Sequence, residues 1–446
     1  MKKLLINVLL LFFFVAHIKA QNWGPAGISI LNYGIDCIYT DTVNDYLYVS
    51  GNLIANTNDD IIYRYNGNTW DTIGGGFTAS VYTVSGYNGE LIAQGPLGVA
   101  SFDGTTWHPF GIFNGTIFNY RVINGELYAC GVFTHVDSIN VNGIAKWNGL
   151  QWIDVYNFPC GSNTNPAYVD DVVMYNNNIY VGGTWDTLGF DLAVYKNGSW
   201  QQVGQGLHGG LTGISYMLVY KNELYVAGCI VQSAGNVGNG IQKWNDTIWT
   251  ELGTSLQDTF DTYNGSLQVE DMKIHDNLLY VCGTFYYAGN VPSYAIAQWN
   301  GTQWCGFGAS NFLTVGSALG FYHDTLFLAS GTDSINHVYV DGLIKWIGGS
   351  YTDSCSSPTG IKELANENLN VLIYPSPTNS ILKIHISSYS TNETIQIIDV
   401  LGEDIYKGTL SGIENSIDVS TWSAGVYFYE VKLPNESNRG KFIIQK

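Results

Sequence analysis

The sequence predicts an all-β chain, a seven-bladed β-propeller followed by a small C-terminal Ig-like β-sandwich. Three observations carry this. A strand-like phrase ending in glycine recurs seven times, each recurrence brings an aromatic phrase that closes on a second aromatic residue, and the texture changes after Cys355.

The first phrase reads Tyr46-Leu47-Tyr48-Val49-Ser50-Gly51, and its later copies end at Gly95, Gly131, Gly183, Gly228, Gly283 and Gly331. Spacings of 44, 36, 52, 45, 55 and 48 residues average about 47, the period of a four-stranded propeller blade at roughly 40–50 residues. The second phrase is an aromatic residue, a turn and a tryptophan, as in Trp147-Asn148-Gly149-Leu150-Gln151-Trp152, Tyr195-Lys196-Asn197-Gly198-Ser199-Trp200 and Trp299-Asn300-Gly301-Thr302-Gln303-Trp304. Asn-Gly between apolar runs is a hairpin signal, because the mirror-image turn needs positive φ at both central residues. A short run upstream of each glycine phrase, such as Val172-Val173-Met174-Tyr175, supplies the innermost strand. The seventh copy ends Lys345-Trp346-Ile347-Gly348-Gly349-Ser350-Tyr351, with Tyr351 in place of the final tryptophan. Trp23-Gly24 stands ahead of the first copy, so pairing of this segment with the last blade would close the ring and leave no long free edge.

Residues 1–20 read as a secretory signal: Lys2 and Lys3, an apolar run from Leu4 to Ala16 broken by Asn7, and Ala20 at the cleavage point. No cysteine follows the cut, so a lipid anchor is not indicated, and no later segment is long and apolar enough to span a bilayer. The formal charge of −19 becomes −22 without Lys2, Lys3 and Lys19. Such a chain is repelled by a phosphate backbone and by anionic lipid, which excludes nucleic acid as a partner. Disorder is excluded by 13 Trp, 31 Tyr and 19 Phe, which need a core. Cys130 and Cys282 occupy one repeat position that takes mostly small residues, and read as buried free thiols. One disulfide among Cys37, Cys305 and Cys355 is compatible with an odd count of seven cysteines.

These phrases resemble kelch-type propellers over residues 21–355, a resemblance that speaks to architecture and leaves activity open. Residues 356–370 read as a linker. Beyond it lie short strands at Val371–Tyr374, Ile381–Ile384, Ile395–Asp399, Val426–Val431 and Lys441–Ile444. Residues 371–446 are similar to the type A sorting domain of the type IX secretion system of Bacteroidota. The resemblance rests on Tyr374-Pro375-Ser376-Pro377, Ile398-Asp399-Val400-Leu401-Gly402, Ile417-Asp418-Val419-Ser420, Ala424-Gly425-Val426-Tyr427 and the ending Gly440-Lys441-Phe442-Ile443-Ile444-Gln445-Lys446. Ser376 and Trp422 depart from the residues usual in that family. The resemblance implies Sec export, recognition by the type IX machinery, and release or attachment at the cell surface.

The turns at one face of the ring are short, whereas Ile153–Val169, Cys229–Asn239, Gly253–Gln268 and Thr284–Ser293 vary in length at the other. Variable loops on a rigid scaffold are where binding concentrates. Phe133, Trp185, Phe285, Tyr286 and Tyr287 in these loops are candidates to stack on sugar rings, with packing of the loops as the alternative. Aligning the inner strands gives one ring position at Asp36, Thr83, Asn119, Asp171, Tyr216, Asp271 and Ala318. Carboxylates converging there, Asp171 and Asp271 above all, are candidate ligands for Ca2+, which takes about 6–8 oxygens. A hydrated channel mouth is the other reading.

Enzyme readings find less support. Ser101-Phe102-Asp103-Gly104-Thr105-Thr106-Trp107 approaches the Asp box of sialidases but is one residue short, and Arg64 and Arg121 are too few for a carboxylate-binding cluster. Histidines for a copper-radical site do not share a blade position: His275 and His323 align, but at tight turns. Glu270-Asp271 are adjacent on a strand and so face opposite ways. The expectation is therefore an exported, non-catalytic propeller that binds a glycan or protein partner through its variable-loop face. A carbohydrate-active enzyme using acids at the channel mouth, and a self-associating matrix component, are the alternatives.

Overall fold

The computed structural model describes residues 23–28, 34–51, 60–77, 81–95, 98–159, 166–185, 191–207, 209–258, 267–307, 315–331, 334–335, 338–340, 342–347, 371–374, 378–386, 393–400, 402–432 and 437–445. The expected signal segment, residues 1–20, and the linker, 356–370, lie outside them. The chain divides into two compact units, Met1–Cys355 and Ser356–Lys446.

The first unit contains seven four-stranded antiparallel sheets in a β-propeller-like fold. Their innermost strands are Ile35–Asp41, Val84–Tyr87, Thr116–Ile123, Tyr168–Tyr175, Gly209–Tyr220, Gln268–His275 and Gly316–Tyr322. Each packs against the next, and the seventh packs against the first. Thr40 Oγ1 donates to the Phe321 carbonyl at 2.6 Å and Ser317 Oγ to that of Ile35 at 2.6 Å, tying the seventh sheet to the first. The second strand of every sheet carries the Leu-Tyr-Val type phrase. It is buried from both sides, as Ala129 and Cys130, Val226 and Ala227, and Val281 and Cys282 show at 0% exposure.

The seventh sheet takes its outer strand from the chain's beginning. Trp23–Pro25 pairs antiparallel with the strand Leu343–Trp346, Trp23 opposite Trp346. That pairing repeats Tyr65 with Trp70, Phe102 with Trp107, Trp147 with Trp152, Tyr195 with Trp200, Trp244 with Trp249 and Trp299 with Trp304. Trp23 is thus the final tryptophan that the seventh copy lacks, and it is buried between Phe307 and Trp346. Tyr351 lies outside the described residues.

The Asn-Gly turns divide into two kinds. Asn88-Gly89, Asn124-Gly125 and Asn197-Gly198 have positive φ at both residues, the mirror-image turn expected. In the longer Trp hairpins only the glycine does so, and the preceding side chain caps the loop instead. Asn148 Oδ1 accepts from the Leu150 and Gln151 amides, and Asn300 Oδ1 from those of Thr302 and Gln303. Asp103 plays the same part toward Thr105 and Thr106, so the stretch that approached an Asp box is an ordinary hairpin.

Cys37, Cys130, Cys229 and Cys282 are free thiols, the second and fourth fully buried as expected. Cys305 is disulfide-bonded.

The C-terminal unit packs a three-stranded sheet against a four-stranded one. Leu382, Ile384, Ile386, Ile395, Ile397, Val431, Phe442 and Ile444 form their shared core. Two strands, Asp404–Thr409 and Glu414–Asp418, escaped the sequence reading. Asp404–Thr409 is a mostly exposed edge strand, so it carries no apolar alternation to betray it.

Candidate functional site

The inner strands begin at the end of the ring from which the variable loops leave. In six of the seven sheets the described register slips by one residue there. The slips fall at Ile35/Cys37, Ile117/Asn119, Val169/Asp171, Ile214/Tyr216, Val269/Asp271 and Gly316/Ala318. Each is a β-bulge, an inserted residue that breaks strict alternation and re-aims its side chain. The ring position in the first sheet is consequently Cys37, which pairs with Ser50, and Asp36 is the bulged residue.

Asp171 and Asp271 both stand near Tyr216, and each is already partnered. Asp171 is fully buried. Its Oδ1 accepts from Asn119 Nδ2 at 3.0 Å, Arg121 Nε at 2.6 Å and the Val172 amide at 2.9 Å. Its Oδ2 accepts from Arg121 Nη2 at 2.6 Å and from the Met217 amide, in the next sheet, at 2.7 Å. Asp271 repeats the design: Lys273 Nζ at 2.6 Å and the Met272 amide at 2.7 Å on Oδ1, and the Leu319 amide of the next sheet at 3.0 Å on Oδ2. Tyr216 stands between the two pairs. Its hydroxyl accepts from Arg121 Nη1 at 3.2 Å and Lys273 Nζ at 2.9 Å, and both cations lie over its ring, 4.4 and 4.8 Å from the centroid. Burial alone would lower the affinity of Arg121 and Lys273 for their protons. The charges of Asp171 and Asp271 overcome this and hold both above their ordinary values.

These carboxylates therefore join neighbouring sheets. Ca2+ at the ring position would have to displace Arg121 and Lys273, a reading the sequence missed because it aligned Asn119 and Asp271 but not the residues two further on. Those share the face of the aligned pair.

Two further carboxyls stand at the bulges, Glu270 accepting from Gln268 Nε2 at 3.2 Å. Burial and the charges of Asp171 and Asp191 push the Asp170 carboxyl up to about 7. Burial and the charges of Asp36 and Asp271 do the same to Glu270, also to about 7. Asp36, in the first sheet, thus faces Glu270 of the sixth. Glu270 and Asp271 were expected to point apart, but the bulge at Glu270 interrupts the alternation on which that rested. Tyr168 opens the innermost strand of the fourth sheet and Tyr82 shortly precedes that of the second; they are 49% and 45% exposed, and Phe118 stacks on Tyr168 with ring centroids 6.2 Å apart.

The loop aromatics divide between the two expectations, packing and exposure. Phe133, Trp185 and Phe285 each stand two residues after a repeat glycine and turn inward. Phe133 packs on Phe113 and Phe285 is buried in the core of the fifth and sixth sheets, while Trp185 is half-buried against Phe158. They anchor the loops. Tyr286 and Tyr287 remain half-exposed, the former edge-on to Tyr294 at 5.5 Å. At the opposite end of the ring His275 stacks on Phe321 at 4.0 Å, with Asp276 and Asp324 at 3.6 and 3.5 Å from its Nε2.

Residues 372–445 match the family model described as a secretion system C-terminal sorting domain. The C-terminal unit is accordingly a type IX secretion sorting domain, which marks the chain for secretion to the cell surface or the extracellular space. No curated protein matches the chain in sequence. Among solved structures, one similar chain is PorZ, an essential bacterial surface component of the type IX secretion system of Porphyromonas gingivalis. It is 14% identical with TM-score 0.46, covering 94% of this chain and 60% of PorZ. Another is the extracellular domain of a putative hybrid two-component system from B. thetaiotaomicron, 13% identical with TM-score 0.44, covering 93% of this chain and 57% of that one. A computationally designed protein, Ika8, is 14% identical with TM-score 0.39, covering 72% and 98%. The chain thus spans about 60% of the length of the first two. None of the three carries a partner or an activity over to this chain. Among the described residues no helix is long and apolar enough to cross a membrane.

Proposed function

We propose that the chain is a seven-bladed, kelch-type propeller over residues 21–355, carried by a type A, Ig-like sorting domain over 371–446. It binds a glycan or an extracellular protein at its variable-loop end and catalyses no reaction. The observation that carries the binding site is the contrast within the channel. Asp171 and Asp271 are closed off by Arg121 and Lys273, while Tyr82 and Tyr168 at the mouth are exposed. Exposed aromatic faces beside hydrogen-bonding acids suit a sugar or a peptide. Of the loop aromatics, Tyr286 and Tyr287 belong to this face, whereas Trp185 and Phe285 support it from beneath.

The test is the melting temperature of the full chain against a panel of polysaccharides and oligosaccharides, and against Ca2+ with and without chelator. A ligand at about 100 times its dissociation constant stabilises by about 2.7 kcal/mol. A shift that disappears in the Tyr82→Ala, Tyr168→Ala double variant supports the mouth as the site; a shift that survives removes it. A second reading, glycoside cleavage, is favoured by Asp170 and Glu270, whose raised pKa values suit a general acid. Turnover of a panel glycan that Glu270→Gln and Asp170→Asn abolish would establish it in place of the first.

A further inference from the structure

The outer strands repeat one device. In four of the seven sheets the final tryptophan donates its indole N–H to the carbonyl three or four residues after the final tryptophan of the preceding sheet. The pairs are Trp70 to Ala26 at 3.0 Å, Trp152 to Phe110 at 2.6 Å, Trp200 to Tyr156 at 3.1 Å and Trp304 to Leu252 at 2.8 Å. The seventh and fifth sheets break the pattern, the Trp23 indole N–H being buried without a partner. In the fifth the Trp249 indole N–H is likewise buried without a partner. The carbonyl in the matching place, that of Val203, accepts instead from the Gly206 amide at 3.0 Å.

A second departure falls in the same sheet. The position next to the first residue of the third strand is Ala145, Ala193 and Ala297 in the third, fourth and sixth sheets, and Gln242 in the fifth. Gln242 is fully buried, and its amide is held only by long bonds. Oε1 accepts from the Val237 amide at 3.3 Å and Nε2 donates to Asn236 Oδ1 at 3.4 Å. A buried amide where the repeat has a methyl group is expensive unless it serves a polar partner.

The two departures line one cavity of about 330 Å3, at the small end of the ~300–1,000 Å3 range of ligand pockets. The indoles of Trp244 and Trp249, 5.0 Å apart, form its aromatic wall. Gly204 keeps that wall clear: a Cβ there would stand 3.1 Å from the Trp249 Nε1 and from the Trp244 ring. All twelve lining residues are uncharged, in a chain of formal charge −19.

We infer that this cavity at the outer edge of the fifth sheet is a binding site for a neutral sugar residue, which stacks on the tryptophan wall and accepts a hydrogen bond from the Trp249 indole. An anion would find no cation in the lining and a cation no carboxylate. A purely apolar guest would leave the indole N–H unanswered, at the cost of a buried unpaired polar group. The site is independent of the channel mouth and does not rest on the reading given for it.

Calorimetric titration of the full chain with galactose, N-acetylglucosamine, cellobiose, maltose and xylobiose tests this. At least one is expected to bind, with affinity falling roughly five- to tenfold in Trp249→Phe, which keeps the ring and removes the donor, and comparably in Gln242→Ala, which restores the residue of the neighbouring sheets. The Tyr82→Ala, Tyr168→Ala variant is expected to bind as the parent does. Heat from none of the five sugars would overturn the assignment. So would binding that both fifth-sheet variants leave unchanged, or binding lost only in the channel-mouth variant.

Discussion

The inner and outer rings of the propeller-like unit are built on opposite policies. At the outer ring one residue type recurs: Trp23, Trp70, Trp107, Trp152, Trp200, Trp249 and Trp304 hold the same register position in the seven sheets. At the inner ring the equivalent position differs in nearly every sheet, with Cys37, Asn119, Asp171, Tyr216, Asp271 and Ala318 in the six sheets whose register fixes it. The recurring tryptophans keep one register position, although Trp23 and Trp152 are almost fully buried and Trp70 and Trp249 only partly so. Side chains that differ at one geometric position form a composite found once in the molecule, and here that composite is ionic in the third to sixth sheets and neutral elsewhere. The charged members join neighbouring sheets, through the Asp171 bond to the Met217 amide and the Asp271 bond to the Leu319 amide.

The largest effects should come from breaking each ring at its unique member. Arg121→Ala leaves Asp171 buried and unpaired and is expected to destabilise the propeller unit by about 3–5 kcal/mol. Adding Asp171→Asn should return part of that, as read by urea denaturation. At the outer ring, Trp23→Ala removes a fully buried side chain from the strand that closes the seventh sheet, for a similar cost of about 3–5 kcal/mol. If Trp23→Ala proved mild, the closing strand would be dispensable and the outer ring uniform in energy as well as in sequence.

How much of this the sequence disclosed follows from the same contrast. Repetition is legible, so the glycine strands, the tryptophan hairpins and the pairing of Trp23 with the last sheet could be read directly. Deviations from a repeat are legible only where the alignment is in register. The bulges throw it out by one: simple alignment puts Asp36 where Cys37 belongs, and the alternation that would turn Glu270 away from Asp271 is interrupted there. Arg121 is hidden for another reason. A charge match between sheets three and four leaves no trace in spacing, because partners 50 residues apart meet only through the fold. Lys273, by contrast, two residues after Asp271, shares its strand face and is legible in the spacing. Phe133, Trp185 and Phe285 show composition misleading in the other direction. Aromatics in loops look like ligand platforms, although their shared place two residues after the glycine marks them as part of the repeat.

A pH titration sharpens the comparison at the inner ring. Asp170 and Glu270 have folded-state pKa values of about 7, above the ordinary 3.8 and 4.5. A carboxyl raised in this way stabilises the fold while protonated. That contribution is complete below the unfolded pKa near 4 and is lost as pH rises to about 7. Stability should therefore fall between about pH 4 and pH 7, by about 1–2 kcal/mol for each group given its partial exposure to solvent. Asp170→Asn with Glu270→Gln should flatten that fall and raise the melting temperature at pH 8. An unchanged pH profile in the double variant would place the source of the fall elsewhere.

The smallest predicted effect separates two tryptophans at one position of the outer ring. The Trp304 indole N–H reaches the Leu252 carbonyl at 2.8 Å in a buried setting, and removing it by Trp304→Phe loses a hydrogen bond and leaves that carbonyl with one donor fewer. Trp249→Phe loses no bond, because its N–H has no partner. Both lose the same ring area in kind, so the difference between them, about 1 kcal/mol in favour of Trp249→Phe, measures the bond itself. Denaturation midpoints with unchanged slopes are the readout. If the two variants fall together, the lock between sheets is packing alone, and the fifth sheet differs from its neighbours only in shape.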